Sequence, residues 1–262
     1  MKIQQIRNAA LRITFGGKTF LTDPWLAPKG AMGPFTDPTI RYVDEAQAKL
    51  AMPLCDLPMP IEDVLAGVDA YIVTHVHPDH IDMAEDGTVG APLEKATPVF
   101  VQSEEDAETL RRSGFKDVRV LGEDTNFEGI RFKKTPGLHG TKIPCGPSCG
   151  VVMTAETEPK KLYIAGDTIW FPGVEETLAS ERPDVVVLNA CAAEFEDHGR
   201  LIMDDADVAS VVNALPDAKV VVSHMDNVAH ASITRTTMKE RLSKRGIWTK
   251  VVMPDDGETL EF

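Results

Sequence analysis

The first absences concern export and membranes. The opening MKIQQIRNAALRITF lacks the apolar core of a signal peptide, and no apolar run approaches the roughly 20 residues a membrane helix needs. The expectation is a cytoplasmic protein with no membrane partner. Cysteine is scarce: Cys55, Cys145, Cys149 and Cys191 are the full set. A chain of 262 residues buries about three quarters of its unfolded surface and needs no disulfide staples, so these four read as reduced thiols. Basic residues are outnumbered, 27 against 41 acidic ones, giving a formal net charge of −14. That balance repels an extended polyanion, and no basic, aromatic-rich module offsets it, so nucleic acid is not expected as a partner. Internal repeats and low-complexity tracts are also missing. What remains is an ordinary globular composition, 43% hydrophobic and 26% charged.

Hydrophobic patterning then gives an order of elements. Leu11 to Phe15 and Lys18 to Thr22 read as strands joined at Gly16-Gly17, a hairpin signal. Residues 27–60 differ from their surroundings: rich in Pro, Met and Gly, weakly periodic, with one helix expected near Asp44 to Leu50. A loop of that length inside a compact domain reads as a lid or rim insertion. From Val68 onward strands and helices alternate. Strands are expected at Asp69 to Thr74, Pro98 to Gln102, Asp117 to Leu121, Ile130 to Thr135, Val151 to Ala155, Lys161 to Ala165, Asp184 to Asn189 and Lys219 to Ser223. Helices are expected from Ser103 to Ser113, from Asp204 or Asp205 to before Pro216, and from Thr234 to Lys244. The near-continuous apolar run Asp184 to Asn189 implies a strand covered on both faces. An α/β layered sandwich follows, in one domain spanning 1–262.

The chemistry concentrates in His75-Val-His77-Pro-Asp79-His80. Four metal-capable side chains lie within six residues, directly after an apolar strand. Side chains alternate along an extended segment, so His75 and His77 point the same way and can grip one cation. Pro78 forces a turn, from which Asp79 and His80 project toward a second. Imidazole and carboxylate donors suit zinc, manganese or iron. Packing gives no reason for this spacing. Further candidates stand at strand ends: His139 in Pro136-Gly-Leu-His-Gly, Asp167 in Ala165-Gly-Asp-Thr and His224 in Val222-Ser-His-Met. Open α/β sheets place their sites at such ends.

This arrangement resembles the metallo-β-lactamase superfamily: H-x-H-x-D-H, a later lone histidine, G-D-T, and a last histidine before the closing helix. It looks closest to the branch containing the L-ascorbate 6-phosphate lactonase. The shared phrases are Asp23-Pro24-Trp25, Thr74 to Asp82, Gly166-Asp167-Thr168 and His224 to Arg235. The resemblance implies a four-layer αββα sandwich. It implies two divalent ions, zinc first, with manganese or iron as alternatives. His75, His77 and His139 would bind the first, Asp79, His80 and His224 the second, and Asp167 would bridge them. Two cations about 3.5–4 Å apart lower the pKa of a bridging water, which would serve as the nucleophile. Asp79 therefore counts as both metal-binding and catalytic.

The implied activity is hydrolysis of an ester, lactone or phosphoester bond in a small molecule. A metal-centred redox enzyme on the same fold and a nuclease or RNA-processing phosphodiesterase are the competing readings. A decayed binding protein is disfavoured by the complete ligand set. The resemblance implies substrate contact for Asn189, and His230 is assigned to substrate or leaving-group contact, as a proton donor, because an eighth protein ligand would close the open position a catalytic metal needs. Asp23 would support a ligand from beneath, although a turn-forming Asp before Pro explains it equally well. Asp82 is expected to do similar work or to cap a helix. Cys145 and Cys149 are read as free thiols near the pocket rim, and Cys191 as a small buried side chain. Self-association is left open.

Overall fold

The computed structural model describes residues 1–35 and 37–262. Two mixed sheets of seven strands each form its centre. In spatial order the first contains Thr259–Glu261, Lys2–Arg7, Ala10–Phe15, Lys18–Thr22, Ala70–Val73, Val99–Val101 and Val118–Val120. The second contains Val251–Val252, Lys219–Ser223, Val185–Asn189, Glu158–Ile164, Cys149–Ala155, Ile130–Pro136 and Thr125–Phe127. Each sheet joins an antiparallel half to a parallel half. The parallel half runs from Lys18–Thr22 to Val118–Val120 in the first sheet. In the second it runs from Glu158–Ile164 to Val251–Val252.

Three apolar layers hold this together. Between the sheets, Ile13, Phe20, Ile72 and Phe100 meet Phe132, Val151, Leu162 and Val187. Outside the first sheet, Tyr71, Val99 and Val101 pack on Val64 of helix Ile61–Leu65 and on Ala107 and Leu110 of helix Glu104–Arg112. Outside the second, Val186, Leu188 and Val220 pack on three helices, Pro172–Glu181, Asp205–Ala214 and Arg235–Lys244. Helix, sheet, sheet, helix is the four-layer sandwich expected from the sequence. Val185–Asn189 is buried at all five positions, with Val187 facing the inter-sheet core and Val186 the helices. Each such side chain contributes about 1.5–3 kcal/mol by leaving water.

Three helix starts follow the expected chemistry: Ser103, Asp204 and Thr234 each accept a backbone N–H with the side chain. Other elements depart from expectation. The helix expected near Asp44 to Leu50 is only a 3-10 turn, Gln47–Lys49, because it has no buried residue with which to anchor a longer element. Helix Pro172–Glu181 and strand Lys2–Arg7 were not expected at all. From the 27–60 segment, Met32, Phe35, Tyr42 and Met52 pack on the second sheet's outer layer, where Ile40 bridges to Phe195 and Arg41 N donates to Glu194 O at 2.8 Å, whereas Leu57 and Met59 pack on the first sheet's outer layer. No helix among the described residues is long and apolar enough to cross a membrane.

Candidate metal centre

The carboxyl ends of the parallel strands deliver the site. Ala70–Val73 runs into Thr74 and His75, Glu158–Ile164 leads to Asp167, Val185–Asn189 ends on Asn189, and Lys219–Ser223 leads to His224. Pro78 turns the chain after the first strand, and His80 N and Ile81 N close one turn back onto His77 O at 3.0 and 3.1 Å. That turn brings the His80 ring over His75, with centroids 4.1 Å apart, and Asp79 to His224. The second strand reaches Asp167 through Gly166, at φ 66°, where a Cβ would collide with Cys149 O.

Three groups of donors converge within 4.8 Å: His75, His77 and His139; His75, His80 and Asp167; and Asp79, His80 and His224. Asp167 joins the outer two. Its Oδ2 lies 3.2 Å from His80 Nε2 and 3.9 Å from the Nε2 atoms of His75, His139 and His224. His224 Nε2 is also 3.3 Å from Asp79 Oδ2. The structure thus gathers all seven residues that the resemblance named as ligands. His77 alone among them is not fully enclosed, and it lines the open cavity.

Supporting contacts orient these rings. Asp23 Oδ2 is 3.1 Å from His80 Nδ1, and Asp23 also accepts from Thr74 N at 2.7 Å, beside His75. Asp23 therefore stands beneath the cluster, not merely in a turn. Leu201 O lies 3.1 Å from His139 Nδ1, leaving Nε2 to face Asp167. Cys191 Sγ lies 3.6 Å from His224 Nδ1. Asn189 donates to Asp167 Oδ1 at 2.7 Å and does not line the cavity, so its amide is committed behind the carboxylate and not to a substrate. Asp82 neither supports a ligand nor caps a helix: it accepts from Leu26 N at 3.0 Å. Cys149 is buried in the inter-sheet core, away from the rim expected for it, and burial pushes its thiol up to about 12. Cys145 does line the cavity.

Electrostatics divide the cluster. Burial, with the neighbouring imidazoles, holds His75 well below its ordinary pKa and His77 at about 4, so both are neutral donors. Burial also opposes charge on His80, but the Asp167 and Asp23 carboxylates outweigh it and raise the group to about 10. Burial disfavours the charged forms of Asp79 and Asp167, yet the surrounding imidazoles keep both well below the usual carboxylate range. Two buried carboxylates call for positive charge at this spot, and they draw it onto the His80 and His224 imidazoles, both of which are raised. Divalent cations fit that donor set.

A cavity of about 320 Å³ opens over the cluster. Phe35 and Ile40 from the 27–60 segment, Phe195, Leu201 and Ile202 form its apolar wall, and His230 lies at its side. His230 is buried, stacks on Phe35 (5.3 Å between centroids, 16° between planes), meets Phe195 edge-on at 6.1 Å, and places Nε2 3.8 Å from Asp79 Oδ2. Burial lowers its pKa to about 4, so any proton it gives must come from a neutral ring N–H. The sequence offered no sign of Phe35 or Phe195 here, because the place of Phe35 depends on how the weakly periodic 27–60 segment folds back, and Phe195 lies on a two-residue strand that this segment bridges through Ile40.

Residues 18–225 match the family described as the Beta-lactamase superfamily domain. Over its full length the chain is 40% identical to the UPF0173 protein YddR of Bacillus subtilis, also covered in full. The chain belongs to the UPF0173 family of metal-dependent hydrolases. Another UPF0173 metal-dependent hydrolase, from Korarchaeum cryptofilum, is 28% identical over 78% of this chain and 86% of its own length. Among solved structures, this UPF0173 chain is similar to the isothiocyanate hydrolase from Delia radicum gut bacteria (38% identity, 100% of this chain, 99% of the other, TM-score 0.90). It is also similar to a possible metal-dependent hydrolase from Veillonella parvula (34% identity, 99% and 98% covered, TM-score 0.89). Three of these four carry hydrolase names, and none carries the lactonase name that the motifs suggested.

Proposed function

We propose that this UPF0173 hydrolase cleaves small, uncharged electrophiles bearing an apolar group, isothiocyanates first among them, at a two-ion centre. His75, His77 and His139 would hold one ion, Asp79, His80 and His224 the other, with Asp167 between them. Zinc suits five imidazoles and two carboxylates best, and manganese or iron are compatible. When bound, the ions would lower the pKa of a water and polarise the electrophilic carbon.

The observation that carries the substrate reading is the cavity wall. It is largely apolar, and among the described residues no Lys or Arg lines it. A phosphoester brings negative charge that the ions alone would have to balance, since the wall adds no cation and its apolar side chains suit an uncharged group better. The full-length likeness to an isothiocyanate hydrolase supports the choice among neutral substrates.

The chain's own residues then have defined tasks. Phe35, Phe195 and Ile202 take up the apolar group and exclude water from it. Addition of water to R–N=C=S and cleavage of the C–N bond give R–NH2 and O=C=S, with both hydrogens of the water ending on nitrogen. His230, whose Nε2 lies 3.8 Å from Asp79 Oδ2, would relay a proton from the water to that nitrogen, its neutral ring taking one proton as it gives up the other. The test is a panel assayed with zinc-loaded protein: methyl, allyl and phenethyl isothiocyanate, a neutral ester, a lactone and a phosphodiester. Amine release from the isothiocyanates alone, or well above the rest, is expected. Turnover confined to the phosphodiester would overturn the reading.

A further inference from the structure

We propose that Asn8 is a positioning residue for the second ion, the one assigned to Asp79, His80 and His224; this rests on the two-ion reading above. Asn8 forms the tight turn between strands Lys2–Arg7 and Ala10–Phe15, at φ 53°, a left-handed conformation that Asn tolerates better than most residues. It is wholly buried. Its backbone and its side chain serve different ends.

The backbone carbonyl fixes the turn in place. It accepts from His224 N at 3.0 Å and from Gln5 Nε2 at 2.8 Å, and Ser223 Oγ lies 2.9 Å away. These contacts tie the first sheet's opening hairpin to the end of strand Lys219–Ser223 in the second sheet. They also brace His224, itself a non-glycine residue at φ 63°, which persists only where surroundings hold it. None of this needs the Asn8 side chain.

The side chain reaches into the metal cluster. Nδ2 donates to Asp79 O at 3.0 Å and lies 3.2 Å from His224 Nε2, a packing contact, since that nitrogen's lone pair is the one the ion would take. Both partners belong to the group with His80, assigned to the second ion, and neither to the group of His75, His77 and His139. Asp79 follows a strand of one sheet and His224 a strand of the other, so the amide spans the seam exactly where those two ligands must keep their spacing. Oδ1 has no partner although it is buried, so the amide is not fully satisfied as a plain turn residue would be. The amide is a brace whose loss loosens one ion and spares the other.

The experiment uses Asn8→Gly, because glycine adopts φ near 53° freely and leaves the backbone contacts intact. Wild type and variant are stripped with chelator, compared by circular dichroism and thermal melting, and titrated with Zn²⁺ alone while metal content is counted. The expected result is a folded variant that binds the first ion with wild-type affinity and the second about 10–100-fold more weakly, the range for losing a contact that orients a ligand. Two ions bound with wild-type affinity would overturn the proposal. So would equal weakening of both, or an Asn8→Gly chain that does not fold without metal, which would make Asn8 a folding residue. Wild type binding a single Zn²⁺ would overturn the two-ion reading itself and this inference with it.

Discussion

Asn189 donates its amide to Oδ1 of Asp167 at 2.7 Å, and this leaves Oδ2 alone to face the imidazoles of His75, His80, His139 and His224. One oxygen is anchored, and the other would be free to sit between the two proposed cations. Asn189→Ala removes the anchor and leaves a buried carboxylate oxygen unpaired, at a cost of about 1–3 kcal/mol. Zn²⁺ affinity should fall by roughly 10–100-fold, read by competition with a chromogenic chelator. An unchanged affinity would mean that the histidines alone orient Asp167.

Asp167 Oδ2 lies 3.2–3.9 Å from His75 and His139 on one side and His80 and His224 on the other, whereas Asp79 groups only with His80 and His224. Asp167→Ala should therefore strip more metal than Asp79→Ala. Elemental analysis of proteins purified without chelator is expected to give less than one ion for the first variant and about one for the second. Equal contents would contradict a bridging role.

His230 contacts Asp79 and the cavity but stands outside the three donor groups. His230→Gln should keep near-normal metal content and an intact fold while kcat/KM falls by about 10²-fold or more, typical for a lost acid–base group. Loss of one ion in the variant would instead make it a ligand.

Phe35 covers one face of His230 and forms part of the wall. Phe35→Ala should lower kcat/KM for phenethyl isothiocyanate roughly 3–10-fold, the equivalent of ~0.5–1.5 kcal/mol of aromatic contact, and change methyl isothiocyanate little. The same loss on both substrates would place Phe35 in supporting His230 and not in gripping the substrate.

The metal cluster was legible because its information is local: strand, turn and spacing bring His75, His77, Asp79 and His80 together within six residues. His139, Asp167 and His224 were legible because each follows a strong strand signal at its carboxyl end. Asn8 and Phe35 were not, since their roles come from contacts with segments about 70 to 220 residues away in sequence, which periodicity does not encode. Strand Lys2–Arg7 was hidden by Gln5 and Arg7, polar residues that the structure buries and that mask the alternation. Arg7 is buried because its guanidinium donates to Trp25 O at 2.9 Å and Ala27 O at 2.8 Å, a tertiary arrangement. Helix Pro172–Glu181 was hidden by its own start, where Phe171 offers no side-chain cap and Pro172-Gly173 reads as a turn.

The most direct measurement follows amine released from allyl isothiocyanate by chelator-stripped protein as Zn²⁺ is added back, for wild type and Asp167→Ala side by side. Wild-type turnover should rise from background to a plateau as two ions are taken up, and Asp167→Ala should stay near background at the same zinc concentrations. Turnover by the stripped protein, or equal turnover by the variant, would contradict a metal centre built around Asp167.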